Sequence, residues 1–311
     1  MPQPNTHIKA VLQALFVTLL WSTSWVLIKF GLKANLPAVT FAGLRYTLAF
    51  LCLVPFVILN SGHRVTLHRI SRRTWIELIL LGILYYSLAQ GAVFVSLSFL
   101  PASTLNLLLN FTPVLVAVYA GGKSHERASA LQWGGIILSL LGVFIYFYPL
   151  MIPAGQVIGL IAALVGLLAN SSSSILGRYM NSESRLSPII VTSMSMGVGG
   201  LLMLITGAFT QGFGTLNLPQ WLIIGWLAVV NTAIAFTIWN KTLQTLTAVE
   251  SSIINGMMLP QIAILAWVFL GEILGARQII GLCLVGIGTL IVQVWRFLRF
   301  RKETAEAIGK S

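Results

Sequence analysis

Ten long apolar runs occupy most of this chain and limit what it can fold into. A helix that crosses the hydrocarbon core of a bilayer needs about 20 mostly apolar residues, and each run is close to that length. The runs are too long for the strands of a membrane barrel, and polar residues do not alternate along them. We therefore predict an all-α, polytopic membrane protein with ten transmembrane helices. The runs cover residues 10–32, 38–59, 75–97, 101–121, 130–149, 156–176, 187–208, 219–240, 247–270 and 278–296.

The shortage of charged residues agrees with a lipid environment. Only 8% of the residues are charged and 57% are hydrophobic, whereas a soluble domain carries about 25% charged residues. The formal net charge of +12 is also typical of nucleic-acid-binding proteins. Here, however, the basic residues alternate by loop and form no patch interleaved with aromatic residues. We therefore predict the lipid bilayer as a partner and no nucleic acid.

The distribution of Lys and Arg among the connecting segments predicts the orientation. If the N-terminus is cytoplasmic, 15 of the 19 basic residues lie in inside segments and at the termini. Only Lys33 and Arg277 lie in outside segments, and Lys29 and Arg45 fall within runs. Because cytoplasmic loops are enriched in Lys and Arg, we expect both termini inside. The expected location is the bacterial inner membrane, as a multi-pass protein.

An internal repeat divides the ten runs into two halves. An offset of 146 residues superposes scarce residue types over five consecutive runs, so each half contains five predicted helices. Since five is odd, the second half enters the membrane from the opposite side, as in inverted-repeat transporters. We predict repeats at 10–149 and 156–296, followed by a basic cytoplasmic tail at 297–311. The superposed pairs include Trp75 and Trp221, Glu126 and Glu272, Gln132 and Gln278, Gly135 and Gly281, and Gly142 and Gly288.

Two segments carry a resemblance to a known family. Residues 109–143 read LNFTPVLVAVYAGGKSHERASALQWGGIILSLLGV, and residues 259–291 read LPQIAILAWVFLGEILGARQIIGLCLVGIGTLI. A Pro, a run to Gly-Glu and a Gln-x-x-Gly helix resemble the EamA family of the drug/metabolite transporter superfamily. The first half departs from this pattern, because His125 stands before Glu126 in place of the Gly. The resemblance implies ten helices, export or exchange of small metabolites, and no prosthetic group.

The resemblance also implies a central cavity lined by the first, third and fourth helices of each half. Polar residues deep within the runs independently indicate which helix faces line this cavity, because a polar group in hydrocarbon is costly unless it pairs or faces a cavity. For these residues, interhelical hydrogen bonding or packing is the alternative to substrate contact. The predicted substrate-binding residues are Trp21, Ser24, Tyr86, Gln90, Asn106, Asn110, Asn170, Asn231 and Asn255.

The fourth run illustrates the two alternatives. Asn106 and Asn110 are four residues apart and therefore share one face of a helix. Pro113 leaves the carbonyl near Leu109 without its helical partner, free to accept a bond from substrate or from a neighbouring helix. Trp21 lies about 16 Å along the first run, at the bilayer centre rather than in an interfacial belt.

Charged residues within the membrane are few. Lys29 either extends to the outer interface or forms an outer-vestibule charge for an anionic group. Arg45 lies about 10 Å into the second run, where we predict a structural role through bonds to carbonyls or headgroups. No acid lies near the middle of a run, which argues against metal cations or polyamines as substrates and against a carboxylate enzyme.

These features predict a secondary transporter, not an enzyme, that exports amino acids or related small metabolites by alternating access. The alternative is a non-transporting integral membrane sensor or assembly factor, in which the loop at 60–74 matters and the deep polar residues do not. We predict a small-molecule substrate, no cofactor and no metal. The small-residue spacing of Gly135 and Ser139 fits either internal packing or a dimer face, so a monomer and a homodimer both remain open.

Overall fold

The computed structural model of the protein describes residues 4–112, 114–116, 130–148, 153–183, 186–214, 216–242, 245–246 and 254–291. Within these residues, six helices are long and apolar enough to cross a membrane, and four further apolar helices are shorter. The prediction of an all-α, polytopic membrane protein is confirmed. The helices are α1 (Pro4–Lys33), α2 (Ala38–Ile58), α3 (Arg72–Phe99), α4 (Ala102–Leu109), α5 (Ala130–Phe147), α6 (Val157–Glu183), α7 (Pro188–Thr210), α8 (218–242), α9 (Ile254–Leu270) and α10 (Ala276–Ile291).

Prolines mark several helix starts, as the sequence predicts. Pro37 and Pro101 precede the first residues of α2 and α4, and Pro188 is the first residue of α7. Proline suits these positions because the first N–H groups of a helix have no intrahelical partner. The loop at 60–74 also contains a short exposed helix, Ser61–His68, that the apolar pattern does not predict.

Glycines bring α2 and α7 into close contact. A Cβ atom added to Gly43 would lie 2.4 Å from the backbone N of Leu204, and one added to Gly207 would lie 2.5 Å from the backbone N of Thr40. Small residues at such positions let helix backbones approach each other within a membrane. The two helices therefore form one tightly packed pair.

A second pair, α5 and α10, packs through glycines that the internal repeat relates to each other. A Cβ on Gly142 would lie 2.7 Å from the carbonyl of Gly281, and a Cβ on Gly288 would lie 2.5 Å from the carbonyl of Gly135. Ser139 is fully buried in the same contact. The Gly135–Ser139 spacing therefore serves packing within the chain.

Two helices contain π-helical segments at matching positions. In α3 the segment is Gly82–Gln90, and in α8 it is Val229–Ile234. The 146-residue offset carries the first segment onto residues 228–236, which include the second. Such segments widen a helix locally and are frequent at functional sites. Three of the predicted substrate-binding residues lie in them: Tyr86, Gln90 and Asn231.

Candidate functional site

A buried arginine connects α2 to two other helices. Only 5% of Arg45 is exposed. Its Nε donates to Thr232 Oγ1 on α8 at 3.0 Å, and its Nη2 lies 3.5 Å from Ser24 Oγ on α1. The guanidinium carbon also lies 5.1 Å from the ring centre of Tyr46 and 6.0 Å from that of Phe94. The sequence predicts bonds from Arg45 to carbonyls or headgroups, whereas its hydrogen-bond partners in the structure are hydroxyl groups.

An aromatic and amide group extends from Arg45 toward α3. The hydroxyl of Tyr46 donates to Gln90 Oε1 at 2.8 Å. The Tyr86 ring, which is buried, lies 5.4 Å from the Tyr46 ring and 4.8 Å from the Tyr85 ring, both in edge contacts. The structure therefore brings the predicted residues Tyr86 and Gln90 together, with Tyr46 between them.

On the other side of Arg45, Asn231 links α8 to α1. Its Nδ2 donates to the carbonyl of Leu20, and to Thr23 Oγ1 at 3.1 Å. Asn231 is completely buried, yet its Oδ1 has no hydrogen-bond partner in the part of the chain that the structure describes. The predicted residues Ser24 and Asn231 thus meet around one turn of α1, and an acceptor remains unpaired there.

Trp21 lies in the same turn of α1, beside the aromatic side chains of α8. Its ring centre is 5.3 Å from that of Phe236 and 5.1 Å from that of Trp239. The indole Nε1 is buried and has no hydrogen-bond partner among the described residues. Buried indole N–H groups ordinarily find an acceptor, so this donor is as unusual as the Asn231 oxygen.

A second group of predicted residues joins α4, α6 and α9. Asn106 donates to the carbonyl of Leu259 at 3.1 Å, and Asn110 donates to the carbonyl of Asn106 at 2.9 Å. Asn170 donates to Thr112 Oγ1 at 3.0 Å, and that hydroxyl bonds to the carbonyl of Leu109 at 2.8 Å. Asn106 and Asn170 are bonded between helices, which is the interhelical alternative that the sequence left open, whereas the bond of Asn110 lies within α4.

The ninth predicted residue lies apart from both groups. Asn255 is exposed, and its side chain has no hydrogen bond among the residues that the structure describes. Pro113 and Glu126, which the sequence interpretation also used, lie outside the described residues. Within the described ranges, no three His, Cys, Asp or Glu side chains could hold a metal ion. The absence of a metal or cofactor stays a prediction.

A carboxylate from the second half caps a helix of the first half. Glu272 accepts from the backbone N–H groups of Ala102 at 2.7 Å and Ser103 at 3.1 Å, and from Ser103 Oγ at 2.7 Å. Pro101, at the cap position of α4, has no side-chain hydrogen bond to offer. Glu272 therefore satisfies the free N–H groups at the positive end of this helix.

The turn that places Glu272 depends on the glycine before it. Gly271 has a φ of 69°, and the N–H of Glu272 returns to the carbonyl of Ala266 at 3.2 Å. This left-handed helix ending favours glycine. The Gly-Glu pair in the sequence thus ends α9 and directs a carboxylate across to α4. Lys29 on α1 adds a further contact beside this cap, because its Nζ donates to the carbonyl of Leu100 at 2.5 Å.

The sequence profile of the EamA-like transporter family matches residues 8–148 and again residues 157–294. The chain belongs to the EamA-like transporter family. It is a multi-pass membrane protein and a transporter, and transporters are a class distinct from enzymes. Its partners are the lipid bilayer and a small-molecule substrate. The repeat seen in the sequence corresponds to two successive family matches.

Curated relatives of this EamA family member carry transporter names. The uncharacterized transporter YvbV of Bacillus subtilis is 26% identical over 94% of this chain and 93% of its own length. A probable amino-acid metabolite efflux pump of Escherichia coli is 25% identical over 93% of this chain and 95% of its own length. A crystal structure of a protein has the same fold, with a TM-score of 0.64 and 18% identity over 92% of this chain and 98% of its own.

Sequence reasoning missed the residues that connect the predicted ones. The sequence predicts a structural role for Arg45, and it does not single out Thr232 or Glu272 as site residues. The repeat gave a usable signal for Glu272, because Glu126 and Glu272 are among its matched pairs. No signal in one sequence indicates that Arg45 meets Thr232, since the two residues are 187 positions apart.

Proposed function

We propose that this protein is a secondary transporter that exports amino acids or related small metabolites by alternating access. The observation that carries the proposal is the buried polar network of α1, α2, α3 and α8, because polar groups at membrane depth line substrate paths. The relatives named as probable amino-acid metabolite efflux pumps in Escherichia coli and Salmonella typhimurium support the cargo class.

The proposed architecture is ten transmembrane helices arranged as two inverted repeats, at 10–149 and 156–296, with a basic tail at 297–311. Three observations support it: the 146-residue offset, the π-helical segments at matching positions of α3 and α8, and the repeat-related glycines that pack α5 on α10. In this arrangement, the two halves rock about a site near the bilayer midplane. The proposed location is the bacterial inner membrane, with a monomer or a homodimer as the assembled form.

A reporter fusion tests the proposed orientation. We expect a fluorescent protein fused to the C-terminus to fold and fluoresce, and alkaline phosphatase fused there to stay inactive, because phosphatase requires an oxidising compartment. A second pair of fusions after residue 151 should give the opposite result. An active phosphatase at the C-terminus would contradict the inside orientation, and the same result at both fusion points would contradict the inverted arrangement of the halves.

Transport by the purified protein tests the function itself. In liposomes we expect saturable flux of at least one compound in a panel of amino acids and small metabolites. Trp21→Ala removes an aromatic wall, and Asn110→Ala removes an amide that donates to the carbonyl of Asn106. We expect each variant to lower flux about tenfold, which corresponds to the loss of about 1.4 kcal/mol. Leu12→Ala, a change at an exposed position of the same helix as Trp21, is the matched control. Absence of selective flux from the whole panel would favour a sensor or assembly factor instead.

A further inference from the structure

The Arg45 guanidinium is a full positive charge held by neutral groups. Its hydrogen-bond partners are the hydroxyls of Thr232 and Ser24, and its other close contacts are the faces of Tyr46 and Phe94. Among the residues that the structure describes, no carboxylate lies within ion-pair distance of it. A buried charge is ordinarily paired with an opposite charge, so the surroundings of Arg45 call for an explanation beyond packing.

Arginine has donor capacity left after these contacts. A guanidinium carries five N–H donors in a planar fork that matches a carboxylate, and two of its nitrogens are engaged with hydroxyl groups here. Hydrogen bonds between two ionised groups are about twice as strong as neutral ones. A carboxylate is therefore the chemical group that this position recognises best.

An acceptor without a partner lies close to this cation. Asn231 directly precedes Thr232, the residue that Arg45 contacts, and the Leu20 carbonyl that binds Asn231 Nδ2 also accepts from Ser24 Oγ at 3.4 Å. Asn231 Oδ1 is fully buried, and no donor among the residues that the structure describes pairs with it. An oxygen in this state recognises a donor, and an ammonium group is the strongest small donor.

The two groups have opposite hydrogen-bonding character and share one turn of α1. An α-amino acid zwitterion carries a carboxylate and an ammonium on one carbon. The carboxylate is complementary to the donors of Arg45, and the ammonium is complementary to the acceptor of Asn231. In the same turn of α1, the ring of Trp21 packs with those of Phe236 and Trp239 on α8, and the three rings offer a surface for an apolar side chain. These aromatic rings fit the side chain of a neutral amino acid better than a charged one.

Building on the proposed function, we propose that the cargo is a neutral α-amino acid bound as a zwitterion, with its carboxylate on Arg45 and its ammonium on Asn231 Oδ1. Both groups are buried between α1, α2 and α8. The substrate reaches them when α1 separates from α8, a movement that alternating access supplies. Arg45 is then a specificity-determining residue, and the aromatic side chains select the size and polarity of the amino acid.

The unaltered protein gives the first test. Liposomes containing the wild-type chain are loaded with unlabelled L-leucine, L-phenylalanine or L-threonine, and uptake of the same labelled amino acid is measured with competitors. We expect the amide of each amino acid, which lacks the carboxylate, and the deaminated acid, which lacks the ammonium, to compete about ten- to hundredfold more weakly. Equal competition by the amide would overturn the assignment of Arg45.

Variants locate the discrimination in the molecule. We expect Arg45→Gln to reduce the preference for the amino acid over its amide to about one, while Asn231→Leu reduces the preference over the deaminated acid. Arg277→Gln, the same change at an exposed arginine that bonds the carbonyl of Tyr148, should keep both preferences. If Arg45 had only a structural role, Arg45→Gln would lower the flux of the amino acid but leave its preference over the amide and the deaminated acid unchanged.

The outcomes separate this inference from the proposed function. No selective flux of any panel compound in the wild type contradicts the proposed function. Flux of amino acids without discrimination against their amides, or flux confined to compounds without a carboxylate, leaves the transporter in place and contradicts the zwitterion site. If Arg45→Gln does not fold, as judged by gel filtration, the competition series with the wild type decides the question.

Discussion

Replacing Gly142 with valine is expected to lower the free energy of unfolding by about 1–3 kcal/mol, because the added methyl groups have no space. A Cβ at this position would lie 2.7 Å from the Gly281 carbonyl, 2.8 Å from the backbone N of Val285 and 2.9 Å from Leu284 Cβ. Two of these three atoms are backbone, so α5 and α10 must separate to make room. Thermal unfolding in detergent should show a melting temperature lower by roughly 5 °C.

Gly134 on the same helix provides the matched control. A Cβ there meets nothing within 4 Å, so Gly134→Val should leave the melting temperature within about 1 °C of the parent, as exposed substitutions usually do. Equal losses in the two variants would mean that valine disturbs α5 itself. In that case, the glycine contact between α5 and α10 would not be what stabilises the pair.

Replacing Glu272 with glutamine is expected to open the predicted outer side of the protein. Glutamine is neutral and has one acceptor oxygen, whereas the carboxylate receives three hydrogen bonds from Ala102 and Ser103. Hydrogen bonds to a charged group contribute about 1.5–3 kcal/mol. Since the bond joins α4 to the segment after α9, losing about 2 kcal/mol would shift the equilibrium between closed and open roughly thirtyfold toward the open form.

Cysteine labelling measures this shift. Thr104 is buried directly below the capped end of α4 and contacts the hydroxyl of Tyr146 at 2.9 Å. With Cys52 and Cys283 changed to serine, we expect a membrane-impermeant maleimide to label Thr104→Cys much faster in the Glu272→Gln background. The control is Glu77→Gln, the same change in a carboxylate that pairs with exposed Arg73 at 3.1 Å. Unchanged labelling after Glu272→Gln would show that the cap does not hold this side closed.

The Glu272 contact gives a physical reason for the Gly-Glu pair that carried the family resemblance. Gly271 supplies the left-handed ending of α9, and Glu272 supplies the acceptor that Pro101 cannot. The contact joins residues of the two predicted halves. In an alternating-access cycle, a contact of this kind must break each time the outer side opens, so its strength bears directly on the transport rate.

The sequence alone determined the features that depend on local pattern. In the residues that the structure describes, the apolar runs form apolar helices, because a segment in lipid must satisfy its backbone hydrogen bonds internally. Prolines 37, 101 and 188 marked helix starts because proline lacks the N–H that a first turn leaves unpaired. The glycines matched by the repeat, Gly142 and Gly281 among them, lie where helices approach closely.

Only the tertiary structure decided which polar residues meet. Asn106 and Asn170 are bonded between helices and Asn110 is bonded within α4, whereas Asn255 is exposed, although all four had the same sequence signal. The contact of Arg45 with Thr232 and that of Glu272 with Ala102 join residues 187 and 170 positions apart. Such contacts depend on how the helices pack in three dimensions, and no local periodicity or composition specifies that packing.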